Sequence, residues 1–287
     1  MDGRVPPFGR RLHSGGEVAT ELAEWVFGQK PPDEISEFGL KLKGGGVHQT
    51  KTMMFEELEH LLATGTTSAA DLARAAVEDN VLAKRTLNTR RLTWRHLMSL
   101  YGLGTQPAIA KTLLGLWHLD TEGRRLNALL VALSRDPLLR DTAEVVVTAP
   151  IGAQVHRSQL ETAIFTQHPG RLSEKMVRSL AQNCNATWTQ SGHLKGRVKK
   201  FRQRVTPTPA NTAFAALLAT VCGFGGPSIL SSTWMRLLDL SHEQALDHLR
   251  RAEAAGLARV RSAGDVIEIA VRKPMAVALG VRELEDV

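Results

Sequence analysis

The chain has 287 residues, a hydrophobic fraction of 43% and a net charge of +7, and its length allows one large core or two smaller ones. No segment approaches the roughly 20 apolar residues of a membrane-spanning helix, and two cysteines are too few for a disulfide-stabilised secreted domain. The first residues contain no apolar segment typical of a secretory signal, so we expect a soluble, cytoplasmic protein.

Apolar residues recur at helical spacing along the first two thirds of the chain. We interpret residues 1–47 as an N-terminal extension, partly disordered, with a short amphipathic helix at 17–28. Residues 48–191 combine helical periodicity with short connections, which predicts a compact bundle of roughly seven or eight helices. The expected N-caps in this bundle are Ser68, Thr89, Asp120, Asp136, Ser158 and Ser173.

The last third of the chain changes character twice. Residues 192–208 fit neither helical nor strand spacing, and we interpret them as a basic connector, either a loop or a short extended segment. In residues 209–287, predicted helices at 212–221, 232–238 and 242–255 precede strand-like runs at 257–261 and 266–271. This order is typical of a winged helix-turn-helix. The predicted fold class is therefore all-α, a compact helical bundle with a winged-helix-like C-terminal segment that ends in a short β-hairpin.

Lysine and arginine are concentrated in two stretches that contain no Asp or Glu, at 80–119 and 175–238. These stretches hold 15 cations between them, so the rest of the chain carries a net charge of about −8. Because like charges repel, such segregation indicates a polyanionic partner, of which nucleic acid is the most obvious. The alternative is that acidic faces of the same chain neutralise both stretches.

The first candidate phosphate site lies around the predicted start of the helix after Thr89. Arg91 and Arg95 are four residues apart and therefore share one helix face. Free N–H groups at the start of a helix add positive potential at the same end. The predicted contacts of this cluster are Lys84, Arg85, Arg90, Arg91 and Arg95.

The second candidate site is the basic connector. Six cations within residues 195–204 cannot stabilise one another, so they predict contact with a nucleic-acid backbone and little sequence preference. Phe201 lies among them, and stacking on a base and burial are both open for its ring. The predicted contacts of this cluster are Lys195, Arg197, Lys199, Lys200, Arg202 and Arg204.

The predicted winged helix is a weaker candidate. Its second helix mixes acidic and basic residues, although the second helix usually enters the major groove. Arg259 and Arg261 on the predicted wing are candidate phosphate contacts, and a protein-contact role for the whole element stays open.

The sequence predicts no catalytic site, cofactor or metal. A metal nuclease needs carboxylates beside its phosphate-binding cations, and the basic stretches contain none. Cys184 and Cys222 lack the spacing of a zinc site, and no glycine-rich phosphate-binding loop is present. We therefore expect a protein without enzymatic activity.

Three segments carry a resemblance to a known family: TMMFEELEHLLATG at 52–65, SAADLARAAVEDNVLAKRTLNTRRLTWRHLMSLY at 68–101 and LNALLVALSRDPLLRDTAEVVV at 126–147. With the later Ala-Gly-Leu before the hairpin, they resemble BrxA, an accessory protein family of BREX bacteriophage-defence systems. The resemblance implies a NusB-like helical fold and double-stranded DNA binding without catalysis, and it supports Arg90, Arg91 and Arg95 as contacts. Residues 1–47 and the run at 195–204 have no match in it.

The leading hypothesis is therefore a DNA-binding accessory protein of phage defence. Two others stay open: a protein–protein adaptor with an acidic partner inside a defence complex, and a NusB-like RNA-binding factor. Other defence-system proteins are possible partners under each of them, and a membrane is not.

Overall fold

The computed structural model describes residues 35–263 and 266–286. The fold is mostly helical and contains two small antiparallel sheets. The first helices are α1 (Ile35–Phe38), α2 (Phe55–Leu62), α3 (Ala69–Val77), α4 (Leu87–Tyr101), α5 (Ala108–Leu119), α6 (Arg124–Arg135), α7 (Pro137–Arg140), α8 (Ala143–Thr148), α9 (Arg157–Gln167) and α10 (Glu174–Gln190). The helix predicted at 17–28 lies outside the described residues.

The other described elements are the later helices and the five strands. The remaining helices are α11 (Pro209–Val221), α12 (Ser228–Ser231), α13 (Thr233–Arg236), α14 (His242–Glu253), α15 (Arg272–Leu279) and α16 (Glu283–Asp286). The strands are β1 (Gln154–Val155), β2 (Leu194–Lys195), β3 (Lys200–Arg202), β4 (Arg259–Ala263) and β5 (Val266–Ala270). None of the helices in the described ranges is both long and apolar enough to cross a membrane.

One continuous hydrophobic core joins the described elements. Helices α6 and α11 run through it with nearly all their residues buried, and they pack against each other. Helices α4 and α5 cover α6, while α13 and α14 cover α11. Ile35, Phe38 and Val47 belong to the same core, although we predicted an extension for residues 1–47. Leu194 and Val205 of the predicted connector also belong to it.

A buried polar chain fastens the segment before α2 to the bundle. The His48 ring lies 2.7 Å from Asp136 Oδ2 through Nδ1 and 2.8 Å from Thr187 Oγ1 through Nε2, and all three residues are buried. The Thr187 hydroxyl also accepts the N–H of Met53 at 2.9 Å. Buried polar groups stabilise a fold only when their hydrogen bonds are made, and this chain satisfies them across three distant parts of the sequence.

Three of the predicted helix caps agree with the structure. Ser68 and Ser173 cap α3 and α10, as predicted. Asp136 caps α7 by accepting two N–H groups, as predicted. Three starts were predicted wrongly: Thr86 rather than Thr89 caps α4, α6 begins after Gly123 rather than Asp120, and α9 begins after His156 rather than Ser158.

The connector predicted at 192–208 contains two strands. Strand β3 pairs with both β1 and β2, which gives the antiparallel order β1-β3-β2. Strands β4 and β5 form the second hairpin, in the place predicted. The prediction of a mostly helical fold is therefore confirmed for the described residues, and it misses the three-stranded sheet.

Candidate nucleic-acid interface

Strands β2 and β3 and the residues between them form a hairpin that projects from the core. Lys195 pairs with Phe201 and Leu194 with Arg202, which leaves residues 196–199 at the tip. Gly196 has φ +121°, and a Cβ there would lie 2.0 Å from the Lys199 carbonyl oxygen, so this tight turn requires glycine. The Nζ of Lys200 donates to the Gly196 carbonyl and closes the tip.

Arg202 anchors the base of the hairpin. Its side chain is 1% exposed, donates through Nε to the Val146 carbonyl at 2.8 Å, and pairs through Nη2 with Asp239. The second oxygen of Asp239 accepts the N–H of Val205 at 3.0 Å. A guanidinium buried in this way cannot reach a surface ligand. This corrects the prediction for Arg202, whose role is to hold the hairpin on the core.

The other cations of this cluster lie on the strands and at the tip of the hairpin, except Arg204, which lies just beyond the end of β3. The side chains of Lys195, Arg197, Lys199 and Arg204 are exposed, and within the described ranges none of them forms an ion pair. Lys200 is partly buried, and this burial lowers the pKa of its ammonium group. Phe201, for which stacking and burial were both open, is exposed on the outer face between Gln154 and Lys195.

The cluster at the start of α4 contains two kinds of cation: some are exposed and unpaired in the described structure, and others make contacts within the fold. Arg85, Arg91 and Arg95 are exposed and unpaired among the residues that the structure describes. Lys84 instead forms an ion pair with Glu57 at 3.0 Å. Arg90 donates to the carbonyls of Lys84 and Val77 at 3.3 and 3.4 Å, so part of its guanidinium serves the fold.

Helix α4 begins without an acidic residue in its first turn. Thr86 accepts the N–H of Thr89 at 3.2 Å, so the helix start carries a hydroxyl cap and no neutralising carboxylate. Leu92 on this helix is exposed, while Trp94 is buried. The start of α4 is therefore a positive end of a helix dipole next to Arg85.

The fold adds one cation to this cluster that the sequence did not indicate. Lys51 and Arg95 lie close enough to His96 that both positive charges act on its ring. Burial lowers the pKa of His96 first, and the two charges lower it further. Lys51 is exposed and precedes Arg95 by 44 positions in the sequence, so no local pattern could have grouped them.

The hairpin of β4 and β5 is less basic than its arginines indicate. Arg259 and Arg261 are exposed, but the register places Glu268 directly opposite Arg261. Opposite charges at such a cross-strand pair attract each other, which reduces the positive potential there. Glu253 lies beside the same strand, because its carboxylate accepts the N–H of Val260 at 3.1 Å. Both hairpin arginines remain accessible and are the weaker candidates.

Two further cations of the acid-free stretches have acidic partners. Lys111 pairs with Glu283, and Arg236 lies 3.6 Å from Glu144. With Lys84 and Arg202, four of the stretch cations are matched to carboxylates in the described structure. Neutralisation within the chain is therefore partial. In the described structure, exposed cations without carboxylate partners remain on the β2–β3 hairpin and around the start of α4, and Lys175 and Arg178 remain on α10.

One hydrogen-bonded arrangement in the described residues resembles a catalytic triad. Thr187, His48 and Asp136 are connected like a nucleophile, base and acid, but all three are fully buried and the hydroxyl is engaged by Met53. Burial acts to raise the pKa of Asp136, but the hydrogen bonds and charge of His48 outweigh it and lower that pKa. In residues 35–263 and 266–286 no group of three or more His, Cys, Asp or Glu could hold a metal ion.

Comparison with known proteins finds no matching family model, no similar curated protein and no similar solved structure. The resemblance to the BrxA family therefore stays an expectation from the sequence.

Proposed function

We propose that this chain is a non-catalytic, cytoplasmic protein that binds double-stranded DNA as an accessory component of a BREX-type bacteriophage-defence system. The observation that carries the proposal is the β2–β3 hairpin. A buried guanidinium fixes its base, and its surface holds exposed cations without carboxylate partners in the described residues.

Duplex DNA fits this hairpin because its phosphates are a regular polyanion. Each cation that contacts a phosphate releases a condensed counterion, so exposed unpaired lysines and arginines gain more from DNA than from solvent. The start of α4 adds a second anchoring point through Arg85, Arg91 and Arg95. Contacts of this kind position a duplex without reading its bases, so weak sequence preference is expected.

The proposal also includes the finer fold assignment. Helices α13 and α14 followed by β4 and β5 have the order of a winged helix-turn-helix, and the preceding helices would form the NusB-like bundle. In this assignment the wing is a secondary contact, because Glu268 stands opposite Arg261. The proposal requires no cofactor.

A salt titration of duplex binding tests the proposal. Fluorescence anisotropy with a labelled 30-base-pair duplex should give a plot of log affinity against log salt with a slope of about −0.9 for each phosphate contact. Charge reversal at Lys195, Arg197 and Lys199 should flatten that slope by about 2–3. Reversal of Arg85, Arg91 and Arg95 should flatten it similarly.

The matched control reverses Arg74, Arg171 and Arg282, which are exposed, lie outside both acid-free stretches and change the net charge equally. Specific contacts predict that this control keeps most of the slope. A slope near zero for the unmodified protein, or equal losses in the control and both test variants, would contradict the proposal.

A protein–protein adaptor is the second candidate function, and the groove beside β4 and α15 favours it. Arg259 and Lys273 border this groove together with Glu253 and Glu268, and Val277 is 79% exposed. Mixed charge with an exposed apolar residue suits a protein surface better than phosphate. Capture of a defence-system protein that survives nuclease treatment, with no duplex binding, would favour the adaptor. Tighter binding of single-stranded RNA than of duplex DNA would favour the RNA-binding factor.

A further inference from the structure

The tip of the β2–β3 hairpin presents an apolar side chain among cations. Val198 is 91% exposed and stands between Arg197 and Lys199. Single exposed apolar residues are common on protein surfaces, so exposure alone does not indicate a ligand. A role for Val198 in binding also depends on its position, on the charges beside it and on the rigidity of the hairpin.

We propose that this hairpin is a wedge, in which Val198 inserts between neighbouring base pairs from the minor groove and kinks the duplex. The inference rests on the proposed function and names the DNA conformation that the same site selects. Apolar wedges of this kind unstack one base step and bend DNA by about 20–90°.

Rigidity is the first requirement of a wedge, because unstacking a base step costs free energy and a flexible tip would bend away instead. Three features hold this tip. Gly196 makes a turn that no other residue fits, Lys200 closes it through the Gly196 carbonyl, and Arg202 fixes its base. The edge strand β2 is held as well, since the His193 carbonyl accepts the N–H of Gln203 at 2.8 Å.

Charge on both sides of the apex is the second requirement. A minor groove is bordered by two phosphate rows, and Arg197 and Lys199 flank Val198 at the tip. Lys195 and Phe201 continue the outer face behind the tip, which puts a further cation and an aromatic ring beside the groove wall. A narrow groove holds enhanced negative potential that attracts such side chains.

A protein partner fits the tip less well. A stable protein interface buries about 1,000 Å² or more with an apolar centre, whereas this tip offers one valine surrounded by cations. A single small apolar group flanked by positive charge is what a base step between two phosphate rows can accept.

Energy transfer between fluorophores at the two ends of a 30-base-pair duplex measures the bend. A central TA step is included because such steps kink easily. We expect transfer to rise when the protein binds, and 2-aminopurine beside the TA step to brighten as its base unstacks. Val198→Ser should remove both signals while lowering affinity by no more than about tenfold, since the phosphate contacts remain.

Val277→Ser is the matched control, because it removes another highly exposed valine, which lies on α15. It should bend DNA like the unmodified protein. Both variants should keep the unmodified Tm because their side chains are exposed. A duplex that carries a one-base bulge at its centre should bind more tightly than the intact duplex, and Val198→Ser should lose this preference.

The outcomes separate the two proposals. Duplex binding without bending, or bending by Val198→Ser equal to that of the unmodified protein, overturns the wedge and leaves DNA binding intact. No duplex binding at physiological salt overturns both. Loss of binding to an acidic protein in Val198→Ser, without any change in DNA bending, assigns the tip to a protein partner and also overturns the wedge.

Discussion

Replacing Asp239 by alanine should destabilise the protein more than any other single loss of an ion pair described above. The change leaves Arg202 buried at 1% side-chain exposure with an uncompensated charge, and it removes the acceptor of the Val205 N–H. Removing one partner of a buried pair typically destabilises by about 3–5 kcal/mol. At about 2–4 °C per kcal/mol for a chain of this size, Tm should fall by about 6–20 °C.

Two variants separate the causes of that loss. Asp239 has a φ of +55°, which asparagine tolerates better than alanine, so Asp239→Asn removes the charge without adding backbone strain. The stability of Asp239→Asn should lie between that of the alanine variant and that of the unmodified protein. Glu144→Ala breaks the exposed pair with Arg236 and should change stability by less than about 1 kcal/mol. Thermal unfolding followed by circular dichroism measures all three. An alanine variant within about 1 kcal/mol of the unmodified protein would refute the assignment of Arg202 as the anchor of the hairpin.

The other predictions concern pH, the α4 cluster and the hairpin turn. Burial lowers the pKa of His193 to about 4, below the roughly 6.5 of a histidine in an unfolded chain. Between these two values the unfolded state binds more protons, so the free energy of unfolding should fall by up to about 3 kcal/mol from pH 6.5 to pH 4. Urea unfolding at several pH values checks this, and His193→Gln should make the free energy of unfolding depend less on pH. The lowered pKa of Asp136 places its own loss of stability at lower pH, below the unfolded value of about 3.9, and Asp136→Asn should remove that later slope while leaving the first unchanged. Arg90→Ala should cost about 1 kcal/mol of stability because two carbonyls lose their donor, whereas Arg91→Ala should keep Tm and weaken duplex binding; equal Tm values would contradict this division. Gly196→Ala should disorder the hairpin tip and reduce DNA bending while Tm drops by only a few degrees, and unchanged amide exchange at residues 195–202 would contradict it.

The features that were predicted correctly from the sequence depend on interactions between residues close together in the chain. Ser68 and Ser173 were identified as caps because each accepts an N–H only three residues ahead. Helix α11 was identified from its apolar sequence, although it begins earlier than predicted, at a proline after the Thr208 cap. The β4–β5 hairpin was found because its two strands are neighbours in sequence.

Pairing between distant residues was beyond local pattern. Strand β1 has two residues and pairs with β3 more than 40 positions later, so neither strand shows a periodic signal of its own. Asp239, the partner of Arg202, lies one residue beyond the acid-free stretch, and Glu57, the partner of Lys84, lies on an earlier helix. Counting charges along the chain therefore located the basic regions and could not tell which cations the fold itself uses.

The hydrogen bonds of the His48 ring affect how the protein folds during its synthesis. Its two side-chain partners lie 88 and 139 positions further along the chain. At about 5–20 residues per second, a ribosome releases Thr187 roughly 7–30 s after His48. During that interval the segment around His48 lacks one of its two side-chain partners. The apolar residues beside it therefore stay exposed to solvent and to other proteins. Nascent chains stalled before Thr187 leaves the ribosome, and well after it has left, should therefore differ strongly in protease resistance.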